Sequence, residues 1–417
     1  MTSELRRRIG FTLGALLVYR LGTFIPLPGI DASAWDMIFR TQAGGVLGML
    51  NVYAGGGIHR MAVFALGITP YLTAAILLQL ATIVSPALRA RLRQGERGRE
   101  IVIAYTRYLT LVLASFQAYG VAIGLEGVTG VVADPGGLFR VSTVLTLAGG
   151  TLFLAWLSEQ ITWRGIGNGL ALILLAGFVT ELPGVIADML DLRRPGTPLS
   201  GPLVAVVAIA IVIVGFIVFM ERAQRRLSVT YAERKVGDRL LAGRSSYLPL
   251  KLNAAGVIPT ILASWLAILA SLSMVVLAMF VTFSVEQGWW ADQLGQGRPL
   301  NLILHVVFIM LFAFVYTASV FDPEEAAENL RNYGGFIPGI EPGERTAAHL
   351  DGILSRITLV GGAYLALVSV MPEILLFYAR VPFYFGGTTL LMVVCAIMDL
   401  ETQVRAHAPI GQEGSRP

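Results

Sequence analysis

Charge is scarce in this chain of 417 residues: only 14% are Asp, Glu, Lys or Arg, while 55% are hydrophobic. A soluble domain of this size carries roughly a quarter charged residues, so a water-soluble globule is excluded. Cysteine is nearly missing too. The single Cys395 lies in an apolar run, which rules out an internal disulfide or a cysteine-rich metal site and reads as a small core residue. His59, His305, His349 and His407 stand far apart, and none belongs to an H-E-x-x-H pattern. No G-x-x-x-x-G-K-[ST] phosphate loop occurs. Neither a metal nor a cofactor is expected.

What is present is hydrophobic length. The mean hydropathy is +0.70, and the apolar residues fall into blocks long enough to cross about 30 Å of hydrocarbon. Ten spans are expected, at 9–25, 60–84, 102–124, 140–158, 166–187, 202–220, 252–280, 300–321, 353–371 and 376–398. The segment from Ser3 to Ile25 superficially resembles a signal peptide, but Pro26-Leu27-Pro28-Gly29 reads as a turn and no small-residue cleavage site follows. The stretch 44–57 is too short and too rich in glycine to cross. It predicts a re-entrant segment, which is tolerated only where protein or a cavity surrounds it.

Basic residues set the orientation. Arg6–Arg8, the arginines between Arg89 and Arg99, and the basic residues between Arg222 and Lys251 all fall on one side of a ten-span chain. The positive-inside rule puts that side, and both termini, in the cytoplasm. Arg20, late in the first span, is expected to snorkel to the opposite interface.

Two distant spans share one interruption: Gly67-Ile68-Thr69-Pro70 and Gly256-Val257-Ile258-Pro259. Each lies early in the second span of its half. An even span count, split five and five with both ends on one side, gives inverted topology, and matching Gly/Pro breaks in the two halves point to the working site of a transport protein. Each motif alone reads equally well as a helix kink. The span interiors appear almost free of Asp, Glu, Lys and His, with His305 alone near the start of a span, so no proton relay is expected. That pattern suits a passive conduit driven by a partner.

Five strings, in order, resemble the SecY family of protein-conducting channels. They are Arg20-Leu-Gly-Thr-Phe-Ile-Pro-Leu-Pro-Gly-Ile-Asp31, Ala65-Leu-Gly-Ile-Thr-Pro-Tyr71, Arg164-Gly-Ile-Gly-Asn-Gly169, Leu248-Pro-Leu-Lys-Leu-Asn-Ala-Ala-Gly-Val-Ile-Pro259 and Val381-Pro-Phe-Tyr-Phe-Gly-Gly-Thr-Thr389. The similarity runs from about Glu4 to Val404. It implies an all-α polytopic membrane protein: ten transmembrane helices in two inverted-repeat halves, 1–200 and 201–417, forming a clamshell with a re-entrant plug at 44–57. It further implies transport of unfolded preproteins across the bacterial cytoplasmic (inner) membrane and release of apolar segments sideways.

The resemblance assigns roles by position. Ile68, Leu72, Leu174, Ile261 and Met392 match the family's pore ring, where Met392 replaces the usual branched aliphatic residue. Uncharged apolar side chains make a gasket that resists wetting and holds no passing residue tightly. Gly44, Gly45, Gly48, Leu50, Asn51, Gly55, Gly56 and Gly57 fall in the plug. Thr73, Gln117 and Asn253 match the polar lining of a lateral gate between spans two and seven. Loops 221–251 and 322–352, with Arg234, Lys235, Arg239 and Glu341, match the docking face for the ribosome or the SecA motor. The implied partners are SecE, SecG, SecA, the ribosome, signal peptides with their nascent chains, and lipid. Glu341 stands where the family typically has arginine, and Glu233 and Asp238 occupy commonly basic positions. From the residues alone, a secondary transporter of a small solute remains the alternative; an intramembrane hydrolase lacks a catalytic pair.

Overall fold

Long apolar runs must satisfy their own backbone in lipid, and helices do so. In a computed structural model, the described residues are 3–42, 51, 54–85, 88, 91, 96–191, 201–231, 234–236, 239–241, 245–264, 266, 297–377 and 386–407. The chain divides into two units, Met1–Pro195 with Cys395–Pro417, and Gly196–Val394.

The first unit contains α1 (Ser3–Gly22), α2 (Ala32–Gln42), α3 (Thr69–Val84), α4 (Glu96–Glu126), α5 (Gly137–Arg164) and α6 (Gly169–Asp191). Helices α4 and α5 form an antiparallel pair, on which α3, α1 and α6 pack. Ala114, Ala118 and Ala122 of α4 are fully buried at i, i+4 spacing, which lets a neighbour approach closely. The pair is fastened at both ends. Arg107 pairs with Glu159 at one end, and Arg140 donates to Glu126 at 2.8 Å at the other. Asp31, ahead of α2, accepts from the Ser33 hydroxyl and from the Ala34 and Ser33 amides, which lower its pKa. The chain after α1 is strapped by backbone bonds, Leu27 N–H to Met61 O at 2.9 Å and Asp31 N–H to Val131 O at 2.8 Å.

The second unit contains α7 (Gly201–Arg222), α8 (Pro299–Val320), α9 (Pro323–Asn332), α10 (Glu344–Phe377) and α11 (Gly387–His407), the last passing into the first unit at Cys395. Helices α8 and α9 pack on α10. The two loops between spans are not irregular. Strands β1 (Gln224–Tyr231) and β4 (Ser245–Lys251) pair antiparallel, and β5 (Gly335–Phe336), from the other loop, adds to β1. Strands β2 (Arg234–Val236) and β3 (Arg239–Leu241) form a second hairpin. Leu227 and Leu248, opposite each other, pack on Ile353, Leu354 and Ile357 of α10, so the loops share a core with the helix.

Among the described residues, five helices are long and apolar enough to cross a membrane. Three expected spans need correction. Span two begins at Thr69, not 60, because residues 54–68 run as successive turns. Span seven becomes helical at 258, not 252, and residues 267–280 of that expectation lie outside those described. Of span ten, residues 376 and 377 still belong to α10, 378–385 lie outside the described residues, and the described helix starts at Gly387. Each error has one cause: apolar character continued past a glycine that starts a helix.

Candidate translocation site

The paired motifs begin helices rather than kink them. Gly67 has φ +58° and Gly256 φ +64°, a left-handed turn that suits glycine. Two residues later the helix starts, and Pro70 and Pro259 occupy its second position, where a missing N–H costs no helical bond. The first intrahelical bonds also correspond: Leu72 N–H donates to Ile68 O at 3.0 Å, and Ile261 N–H to Val257 O at 3.3 Å. Leu72 and Ile261 therefore hold equivalent positions in their own units.

The last helix of each repeat obeys a similar rule. Gly169 opens α6 against Ser158 O of α5, and Gly387 opens α11 against Val368 O of α10; a Cβ on either glycine would overlap that oxygen. The Thr162 hydroxyl donates to Ser158 O and accepts from Gly169 N–H at 2.9 Å. Pro372 takes the matching place four residues beyond Val368, with no N–H to give. Asn168 caps α6, accepting from Leu170 N–H at 3.0 Å.

These glycines give four of the ring candidates a shared register within their own helices. Leu72, Ile261, Leu174 and Met392 each stand five residues beyond a glycine: 67, 256, 169 and 387. Ile68, Leu72 and Leu174 are buried, whereas Ile261 and Met392 are half-buried.

Of the gate candidates, Thr73 is buried and donates to Thr69 O of its own helix at 2.9 Å, while Gln117 is half-buried on α4. Asn253 is buried and donates to Glu221 Oε1 at 2.7 Å and to Gly256 O at 3.2 Å. Tyr364 of α10 donates to the same carboxylate at 3.3 Å. Asn253 thus fastens the turn before the seventh span to α7 and α10. Gly44, Gly45, Gly48 and Leu50 lie outside the described residues. Asn51, Gly55, Gly56 and Gly57 are buried in the first unit.

On the docking loops, Arg234, Lys235 and Arg239 fall on the β2–β3 hairpin; Glu233 and Asp238 lie outside the described residues. Glu341 is exposed and paired with Arg345 at 3.2 Å. Residues 323–350 fold around their own small core of Ala327, Ile337, Ala347 and Leu350.

The impression of carboxylate-free spans is corrected. Glu181 lies inside α6, Glu221 is the last residue but one of α7 and Glu373 lies in α10 just after Pro372. His305 is not alone, for its Nδ1 is 3.8 Å from Glu373 Oε1. Glu181 was visible as an acid within the fifth expected span. Glu221 and Glu373 fell one or two residues beyond expected boundaries and so looked like loop charges.

A family model described as SecY matches residues 62–401. Protein translocase subunit SecY of Escherichia coli K12 is 45% identical over 410 residues, covering 96% of this chain and 91% of its own. Among solved structures, one on the plug domain of the SecY protein, stabilising the closed state of the translocation channel, aligns with TM-score 0.67 at 16% identity. It covers 96% of this chain and 92% of that one. Sec61 in the canine ribosome-channel complex from the endoplasmic reticulum aligns with TM-score 0.64 at 18% identity, with the same coverage of both chains.

Proposed function

This chain belongs to the SecY family of protein translocase subunits, and on that premise we propose how its own residues conduct a polypeptide. It is a multi-pass membrane protein and a channel subunit, a transport protein rather than an enzyme. Small-solute transport is no longer the competing explanation. In our reading Ile68, Leu72, Leu174, Ile261 and Met392 form the apolar ring, residues 44–57 the plug, and Thr73, Gln117 and Asn253 the polar lining of the gate. The observation that carries this is the shared glycine rule, which puts Leu72 and Ile261, and Leu174 and Met392, in matching registers of their helices. Equal registers in inverted repeats are what a collar requires.

In this reading the three residues line the gate without bolting it: the described bonds of Thr73 and Asn253 stay within their own units, so parting breaks none of them. A segment exposed to lipid is then sorted by its sum, with central Leu at about −0.5 and central Lys at about +3 kcal/mol. The basic clusters favour cytoplasmic termini in a bacterial inner membrane. SecE, SecG and SecA are the companions we expect, with the ribosome attracted to the basic loops through RNA phosphate. The decisive test uses Leu174→Cys in a chain carrying Cys395→Ser, with a secretory chain stalled in transit. A crosslink from position 174 to the stalled chain is expected; none forms if the ring lies elsewhere.

Glu341→Arg is expected to strengthen motor-driven translocation into vesicles, because it restores the family's charge on the docking face. The Glu341–Arg345 pair that it breaks is exposed and contributes little to stability. Unchanged or weaker transport would show that Glu341 is compensated rather than defective.

A further inference from the structure

Glu181 is an unusual residue for the middle of an apolar helix, and the channel reading leaves it unused. Its Oε2 accepts from Asn51 Nδ2 at 3.1 Å, across 130 residues of sequence. Asn51 is 4% exposed and holds the turn that follows: its Oδ1 accepts from His59 N–H at 2.8 Å, and its carbonyl from Gly56 N–H at 3.0 Å. The same turn is gripped from outside. Arg20 donates to Gly55 O at 3.2 Å and Arg60 to Gly56 O at 3.4 Å, and both guanidiniums lie over the Phe24 ring. There is no room to spare. A Cβ on Gly56 would collide with Glu181 Oε1, and one on Gly55 with the Tyr19 hydroxyl.

Arg20 and Arg60 bring positive charge to the same turn, which also borders a carboxylate whose one described hydrogen-bond partner is Asn51. A charge-assisted bond to a neutral amide is strong enough to hold a segment at rest, yet it leaves no bare ion pair when broken. We propose that Glu181 is a positioning residue that latches the plug root through Asn51 and so sets how firmly the idle channel is closed. This rests on reading 44–57 as the plug.

The test measures resting ion leak of the complete channel complex in vesicles for Asn51→Asp, Glu181→Leu, the double variant Asn51→Asp/Glu181→Gln, and a chain lacking residues 44–50. Asn51→Asp sets two acceptors against each other, and Glu181→Leu removes the acceptor. Each is expected to raise leak about tenfold, the loss of one charge-assisted bond. The double variant restores a donor facing a carboxylate and is expected to return leak close to wild type. A residue needed only for folding would give no such rescue. If the truncated chain leaks while both single variants stay tight, or if the double variant fails to recover, the latch is wrong and the plug stands. If the truncated chain is tight as well, the plug reading fails and takes the latch with it.

Discussion

Gly387→Ala is expected to lower the stability of the second unit by about 1–3 kcal/mol or more, the usual cost of overpacking. The reason is what the new methyl would meet. A flexible side chain could swing aside, but the obstacle is Val368 O, part of the α10 backbone. Helix α11 would have to move away from α10, and Met392, five residues on, would move with it. Gly169→Ala should behave alike, since its Cβ would run into Ser158 O of α5. Gly352→Ala is the control: it lies exposed in α10, with nothing within 4 Å of the added Cβ. Alanine is the better helix former by about 1 kcal/mol, so that change should be neutral or mildly stabilising. Thermal unfolding of the purified complex, read together with resting leak, checks all three. Equal midpoints for Gly387→Ala and Gly352→Ala would mean that α11 does not depend on that contact.

These glycines also explain how far the sequence could be read. Hydropathy located most helices, because a bilayer demands long apolar runs and little else produces them. It misplaced the starts of spans two, seven and ten, since Phe64, Ala65 and Leu252 are as apolar as the helical residues that follow. Only backbone geometry at Gly67 and Gly256 separates turn from helix in spans two and seven. The β1–β4 hairpin was hidden for another reason: Arg225 and Arg226 drew Gln224–Tyr231 into a basic loop, while its Leu227 packs on α10 and its Val229 is buried. The Asn51–Glu181 contact joins positions 130 residues apart, and nothing local announces it. The ring candidates came from family resemblance; viewed singly they are ordinary core residues.

Combined Ile68→Gly and Ile261→Gly should raise the ion leak of reconstituted vesicles by about tenfold or more. A narrow apolar neck stays dry because water entering it gives up hydrogen bonds that the walls do not replace. In the proposed ring, glycine at both positions would widen the neck and bare backbone amides that water can use. Every ~1.4 kcal/mol removed from the barrier then multiplies the ion flux by about ten. Ile68 is fully buried in its own unit, so its loss alone also leaves a cavity there, and Ile68→Ala separates the two effects. If cavity formation were the cause, Ile68→Ala and a comparable truncation at the buried Ile309 of α8 would leak alike. If the seal is the cause, Ile309→Ala costs stability and leaves the leak unchanged. Met392→Leu offers the opposite sign. It replaces a flexible thioether with the branched side chain usual at that register, and should tighten the resting channel. A double glycine variant as tight as wild type would remove these side chains from the seal, whatever their register.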